Sequence, residues 1–322
     1  MIKKPSLIFL SLLFFFSVSH AQSDGFSYRW QNVNGINIFY RTAGDPHKPV
    51  IVLLHGFPSS SIMYQGLMEL LKKEYFLIAP DYPAHGYSDA PPTTGYAFTF
   101  DNISNTIDDL LNYLNIHRYS LYMQDYGAPV GFRLAIKHPE RISALIIQNG
   151  NAYIEGFPEA QNPDGELQKY WRDKNTQYER GWIDYYRKAS LISPEQRKLK
   201  SNVNPDRRNM DAEIMLKPGR LELFMQLWFD YANNVKSYSK WHAYLKKYQP
   251  PVLITWGKND TYFTVPGALA YLKDVPKAEV HLLNGGHWAA TEDDTVEIAE
   301  LINSFFIRDV LHNDTTAALC NR

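Results

Sequence analysis

Three side chains in this sequence have the types and the order needed for two-step nucleophilic chemistry: Asp125, Asp260 and His287. Each follows a short apolar run. Tyr119 to Met123 leads into Gln124-Asp125-Tyr126-Gly127, Val252 to Trp256 into Gly257-Lys258-Asn259-Asp260, and Glu279 to Leu283 into Asn284-Gly285-Gly286-His287. An aspartate with the ordinary pKa of about 3.9 is already ionised at neutral pH and needs no base before it attacks. It can displace a leaving group from an sp³ carbon and form an ester. A histidine then draws a proton from water so that hydroxide attacks the ester carbonyl, while a second acid fixes the tautomer of the ring. That step needs donors for the developing oxyanion, and the backbone N–H groups of Phe57 and Tyr126 are the candidates. Plainer roles compete at each position: a helix cap for Asp125, a turn former for Asp260, a loop histidine for His287. Glu155 is the alternative acid, and His281 and His242 are the alternative histidines.

Elements must carry these residues to one place. The run ending at Met123 stops at an acid, meets Gly127 and becomes a helical pattern (Val130, Leu134, Ala135), which predicts a strand, a tight turn and a helix. Upstream, Asn34-Gly35 between two alternating runs predicts a hairpin, and Val50 to Leu54 predicts a strand buried on both faces. Ile103, Ile107, Leu110, Leu111 and Leu114 form a helical stripe, and Ala144 to Ile147 another buried strand. Strand and helix alternate, so the expectation is a mostly parallel sheet with helices on both faces. In such sheets ligands bind at the carboxyl ends of the strands, so residues at strand ends converge there. From 151 to 249 the alternation stops, and the chain becomes helical in pattern and rich in Tyr, Trp and Arg. The expected division is 22–150 as the first part of the core, 151–249 as an inserted helical cap, 250–311 as the second part of the core and 312–322 as a flexible tail.

The first residues read as a targeting signal. Lys3 and Lys4 precede an apolar run from Leu7 to Val18, and Ser19-His20-Ala21 is a small-residue cleavage site, so residues 1–21 are expected to be removed after export. No cysteine follows the apolar run to carry a lipid, and the single cysteine, Cys320, precludes an intrachain disulfide. The expected location is periplasmic or secreted, without stable membrane insertion after cleavage.

Four segments carry a resemblance. Leu54-His55-Gly56-Phe57-Pro58, Gln124-Asp125-Tyr126-Gly127, Trp256-Gly257-Lys258-Asn259-Asp260 and Gly285-Gly286-His287 together resemble the epoxide hydrolase and haloalkane dehalogenase branch of the α/β-hydrolases. The resemblance covers nearly the whole mature chain, with the cap matching weakly, and implies the α/β-hydrolase fold. The turn at Asp125 is similar to the nucleophile elbow of that fold, with a carboxylate in place of serine. No Gly-x-Ser-x-Gly occurs, which argues against a serine esterase. Within the branch the leaving group decides the activity. A halide needs only donors, and the dehalogenases resemble one another in a Trp directly after the nucleophile plus an Asn or a second Trp; this chain has Tyr126 and Phe57 there. The arginine that fluoroacetate-type dehalogenases carry after the nucleophile is also missing. An opening epoxide creates a basic alkoxide, and the resemblance implies two cap tyrosines as its acid: Tyr231 in Phe229-Asp230-Tyr231-Ala232, and Tyr170, with Tyr153, Tyr185 and Tyr186 as alternatives to Tyr170. Two features depart from the pattern: Met123, where a tight elbow prefers a small residue, and His85 in the Pro80 to Asp89 loop. Phe57-Pro58 is a candidate cis bond.

Composition bounds the partners. The 322 residues are 45% hydrophobic and 14% aromatic with a net charge of −1, so there is no basic excess with which to bind nucleic acid. The reading is a cofactor-independent, metal-free hydrolase, a monomer or homodimer, acting on a small apolar or amphipathic organic substrate and water. Epoxide opening is expected first, hydrolytic dehalogenation second, and a non-catalytic ligand-binding relative of the fold third.

Overall fold

The computed structural model describes residues 25–91, 95–193, 205–290 and 294–310. The expected signal segment (1–21), Cys320 and the expected tail (312–322) lie outside them. The chain opens with β1 (Phe26–Val33) and β2 (Ile36–Ala43), an antiparallel hairpin with Val33 opposite Ile36. Asn34 and Gly35 between them have φ of 50° and 88°, and two positive φ values in a two-residue loop match the twist of the flanking strands. Then follow β3 (Val50–Leu54), α1 (Gln65–Leu71), β4 (Phe76–Pro80), α2 (Phe100–Tyr113), β5 (Tyr119–Gln124), α3 (Gly127–Lys137) and β6 (Ile142–Gln148).

The alternation resumes with β7 (Val252–Gly257), α9 (Val265–Ala270), β8 (Glu279–Leu283) and α10 (Thr295–Phe305). The strands form one eight-stranded sheet in the order β1-β2-β4-β3-β5-β6-β7-β8, parallel from β4 onward. Its central strands are apolar because helices cover both faces. Within β3, Val52 and Leu54 pack toward α2 and α3 while Ile51 and Leu53 pack toward α1 and α10. Each such buried aliphatic side chain contributes roughly 1.5–3 kcal/mol, so this alternation fixes the register of the sheet.

Between β6 and β7 lies the helical insertion: α4 (Pro158–Gln161), α5 (Glu166–Asp173), α6 (Thr176–Ser190), α7 (Pro205–Leu216) and α8 (Arg220–Tyr248). Among the described residues it contains no strand. Asn175 caps α6 by accepting from the N–H groups of Gln177 and Tyr178, and α8 ends where Gln249 turns left-handed. The insertion joins the core through aromatic packing: the Trp241 ring stacks on Phe132 of α3 at 4.9 Å, and the Tyr231 ring meets Phe100 of α2 at 5.8 Å. No helix among the described residues is long and apolar enough to cross a membrane.

Candidate active site

Asp125 sits at the end of β5, near the centre of the sheet, and the chain turns there directly into α3. Its φ is 48°, a left-handed backbone that costs a non-glycine residue of the order of 1–3 kcal/mol. The turn closes because Gly127 lies against the backbone oxygen of Leu54, where a Cβ would collide. Met123, large for its position, is accommodated because Gly131 on α3 has no side chain and its surface receives the thioether. The Phe57-Pro58 bond is cis. It follows Gly56, which lies against Gln124 and Asp125 so closely that no Cβ fits there either.

The nucleophile candidate is held by its neighbours before any substrate arrives. The Phe57 N–H donates to Asp125 Oδ1 at 2.7 Å, and the Tyr126 N–H bonds the same carboxyl. Asp125 Oδ2 lies 3.8 Å from His287 Nε2. Burial pushes the Asp125 carboxyl up to about 6; His287 and the two N–H groups pull it down, and Asp260 adds to the rise.

On the far side of the ring, His287 Nδ1 is 2.7 Å from Asp260 Oδ2. Asp260 is well supplied with donors: the N–H groups of Tyr262 and Phe263 reach Oδ1 at 2.7 and 3.1 Å, and Asn149 Nδ2 reaches Oδ2 at 2.7 Å. The structure therefore brings Asp125, His287 and Asp260 into one line at the carboxyl ends of β5, β8 and β7. Glu155 lies elsewhere, bonded to Lys273, and His242 faces the Ala152 carbonyl.

Sequence reasoning missed Asn149. This residue bridges the two acids: its carbonyl accepts from the Asp125 N–H at 3.3 Å, its side chain bonds Asp260, and Gly257 N–H donates to its Oδ1 at 2.9 Å. The available signal was Asn149-Gly150 after a strand, which reads only as a turn.

A cavity of about 460 Å³ opens over Asp125 and His287 between core and insertion. Its walls are largely aromatic, with Phe57, Phe157, Trp182, Tyr186, Phe224 and Trp228 among them. A buried ion pair, Arg207 to Asp211 at 3.1 Å, also faces it, and the Arg207 guanidinium lies over the Trp288 ring at 4.7 Å. Burial raises Asp211 to about 6 although Arg207 pulls it down. His85 is buried outside the cavity wall, its ring 4.7 Å from Phe224 and 5.2 Å from His55. Among the described residues no group of three or more His, Cys, Asp or Glu side chains is arranged to hold a metal ion.

The two expected cap tyrosines need correction. Tyr170 does not line the cavity; its hydroxyl donates to the Met225 carbonyl at 3.0 Å. Tyr231 is fully buried behind Tyr126, with its ring 6.0 Å away and its hydroxyl beside that of Tyr238, and it does not line the cavity either. Tyr231 shares the face of α8 that carries Phe224 and Trp228 but lies further along the helix, where that face has left the cavity and packs on Phe100 and Tyr126 of the core. Two tyrosines of the insertion, Tyr185 and Tyr186 on α6, line the cavity, and Tyr186 is the less exposed one that interacts electrostatically with Asp125. Its ring packs edge-on against Phe57 at 5.2 Å, and no hydrogen bond engages its hydroxyl among the described residues. Burial raises its pKa, with Tyr262, Tyr185 and Asp125 adding, so it is a protonated phenol at neutral pH.

Similarity to known proteins agrees with this architecture. An uncharacterized hydrolase of Saccharomyces cerevisiae is 39% identical over 278 residues, 85% of this chain and 94% of the yeast protein. The epoxide hydrolase of Vigna radiata superposes with a TM-score of 0.68 at 21% identity, covering 89% of this chain and 99% of its own. A haloalkane dehalogenase variant from Bradyrhizobium elkanii superposes with a TM-score of 0.62 at 19% identity, over 88% and 97% of the two chains. Residues 49–294 match the sequence model of the alpha/beta hydrolase fold. With that match, the parallel sheet and the strand-turn-helix at Asp125, the chain belongs to the α/β-hydrolase family and is a hydrolase of that fold.

Proposed function

We propose that the protein opens epoxides to diols through an ester on Asp125. Asp125 Oδ2 attacks an epoxide carbon, the C–O bond breaks, and the alkoxide takes a proton from the Tyr186 hydroxyl. His287 then removes a proton from water, hydroxide adds to the ester carbonyl, and the oxyanion at Oδ1 is held by the N–H groups of Phe57 and Tyr126. Asp260 keeps the imidazole in its working tautomer and balances its charge. Collapse expels the second alkoxide, which takes the proton from His287 and leaves as the diol, and the proton of the regenerated Asp125 carboxyl returns to the Tyr186 phenolate, restoring the carboxylate.

The observation that carries this reading is the pairing of a pre-held carboxylate with a cavity-facing phenol. A serine-type hydrolase offers its two N–H donors to the substrate carbonyl; here the Phe57 N–H lies on the nucleophile itself, which suits an ester whose carbonyl belongs to the enzyme. An alkoxide leaving group requires an acid, and Tyr186 supplies one. Halide release is supported less well, because the Trp228 indole N–H in the cavity wall is engaged by the Tyr178 hydroxyl at 3.3 Å. The aromatic lining favours apolar or amphipathic, aryl-bearing substrates. We also propose export, on the strength of the charged and apolar leader.

Intact-mass spectrometry tests the assignment. With a panel of aryl and alkyl epoxides, His287→Gln is expected to accumulate protein heavier by one substrate, and Asp125→Asn to gain no mass. No adduct on any epoxide, together with halide release from bromoalkanes that Asp125→Asn abolishes, would overturn it.

A further inference from the structure

We infer that Gln124 is a positioning residue for His287: its side-chain amide donates to the imidazole and holds the ring neutral, with Nδ1 protonated and Nε2 bare. This rests on the proposed roles of Asp125 and His287: the one lone pair of an unprotonated Nε2 takes the proton as water displaces the Gln124 N–H from it, the amide keeping its bond to the His287 carbonyl.

The assignment follows from what each atom can do. Gln124 Nε2 lies 3.2 Å from His287 Nε2 and 3.2 Å from the His287 carbonyl oxygen. A carbonyl only accepts, so the amide atom facing it is the nitrogen. The same nitrogen, having no lone pair to offer, then meets Nε2 as a donor, and Nε2 must present its lone pair. On the other side Nδ1 faces the carboxylate of Asp260 at 2.7 Å and carries the ring's proton.

The frame around Gln124 enforces this orientation. Gln148, at the same level of the neighbouring strand, donates its Nε2 to the His287 carbonyl at 3.1 Å and to Asn149 Oδ1 at 2.7 Å. Gln124 Oε1 is buried against Gly56 with no hydrogen-bond partner, and glycine alone leaves it room. Three amides on β5, β6 and the turn after β6 thus fix the ring and its acid from below.

The groups facing His287 explain why a donor is needed. Asp125 and Asp260 flank the ring, Tyr262 packs against it at 5.2 Å, and Trp288 at 5.2 Å carries the Arg207 guanidinium on its ring. Two carboxylates favour imidazolium, which cannot serve as a base. An N–H aimed at Nε2 opposes them, because it is lost when that nitrogen is protonated.

Nitrogen-15 NMR of histidine-labelled protein tests this without any substrate, with His287→Gln identifying the signals. At pH 7.5 the wild type is expected to show a protonated Nδ1 and an unprotonated Nε2. In Gln124→Leu the imidazolium form should persist to about one pH unit higher, the tenfold that one lost hydrogen bond represents. Gln124→Glu, similar in shape but an acceptor, should persist higher still. An imidazolium in the wild type at pH 7.5, or equal midpoints in all three, would overturn the inference. Rapid-quench single turnovers on styrene oxide add a second reading. Gln124→Leu should form the ester at the wild-type rate and hydrolyse it about tenfold more slowly at neutral pH, recovering as pH rises. Equal slowing of both steps at every pH would mark a merely structural glutamine. If neither the wild type nor His287→Gln forms an ester, the functional proposal fails, and the NMR outcome still decides the role of Gln124.

Discussion

At the scale of single residues, Asp125 is kept in a state that costs the folded protein stability. Its ordinary carboxylate value near 3.8 rises to about 6 on burial. A carboxyl raised in this way favours the fold when protonated. Its contribution is complete below about pH 4 and is lost as pH climbs through 6. At pH 7 the ionised side chain therefore holds the protein below its neutral counterpart by at most about 3 kcal/mol. Asp125→Asn is expected to be inactive yet more resistant to urea at pH 7.5, with the advantage gone by pH 4; coincident urea curves at pH 7.5 would contradict this. In the proposed reaction the ionised form is also the nucleophile, so ester formation should fall about tenfold for each pH unit below 6 in single-turnover assays. The tyrosines separate in the same way. Tyr186→Phe is expected to lower kcat on epoxides about a hundredfold or more, while Tyr231→Phe, whose hydroxyl faces Tyr238 rather than the cavity, leaves kcat close to wild type.

At the scale of elements, the turn between β5 and α3 depends on two glycines, each packed too closely on a neighbour to carry a side chain. Gly127 touches the Leu54 backbone and Gly56 touches Gln124 and Asp125. Gly127→Ala has rigid backbone in its way and should cost more than 2 kcal/mol in urea unfolding, beyond what the helix propensity of alanine returns. The insertion contributes a different constraint. Arg207 and Asp211 are both buried on α7, so Arg207→Met takes the close ion-pair partner from a buried carboxyl and leaves it Arg208 and Ser59; the expected loss is about 3 kcal/mol, read from the urea midpoint. The core elements were legible in the sequence because their signals are local: a β-branched run such as Val50 to Leu54 has one solution in a two-faced sheet. How far along a long helix a cavity extends is not local. Phe224, Trp228 and Tyr231 share one face of the helix from 220 to 248, so pattern alone does not say that Trp228 lines the cavity and Tyr231, further along, packs on the core.

At the scale of the whole molecule, the site is an agreement among distant parts of the chain. Asp125, Asp260 and His287 could be named from sequence because parallel strands end on one side, and an acid or histidine at such an end has few other duties. Asn149 escaped notice because its work depends on the adjacency of β6 and β7, which only the sheet order reveals. Tyr186 stood among several tyrosines until the insertion was seen folded over the sheet. The proposed leader belongs to this scale as well. Expressed with its first residues in a bacterium, the protein is expected to accumulate outside the cytoplasm with Gln22 as its N-terminus; intact mass of the exported protein checks it, and an unprocessed Met1 chain retained in the cell would refute it.

The bond from Phe57 N–H to Asp125 Oδ1 makes the two carboxylate oxygens unequal, and isotopes can count the difference. Oδ1 is anchored, so in the proposed reaction Oδ2 is the atom that joins the substrate and leaves with the diol. In water enriched in oxygen-18, a single turnover should deliver unlabelled oxygen to the product and leave the label on Asp125. The next turnover should hand that label on, provided the renewed oxygen again takes the side facing His287. Anchoring thus gives the enzyme a memory of one oxygen atom, read by mass spectrometry of the peptide that carries Asp125.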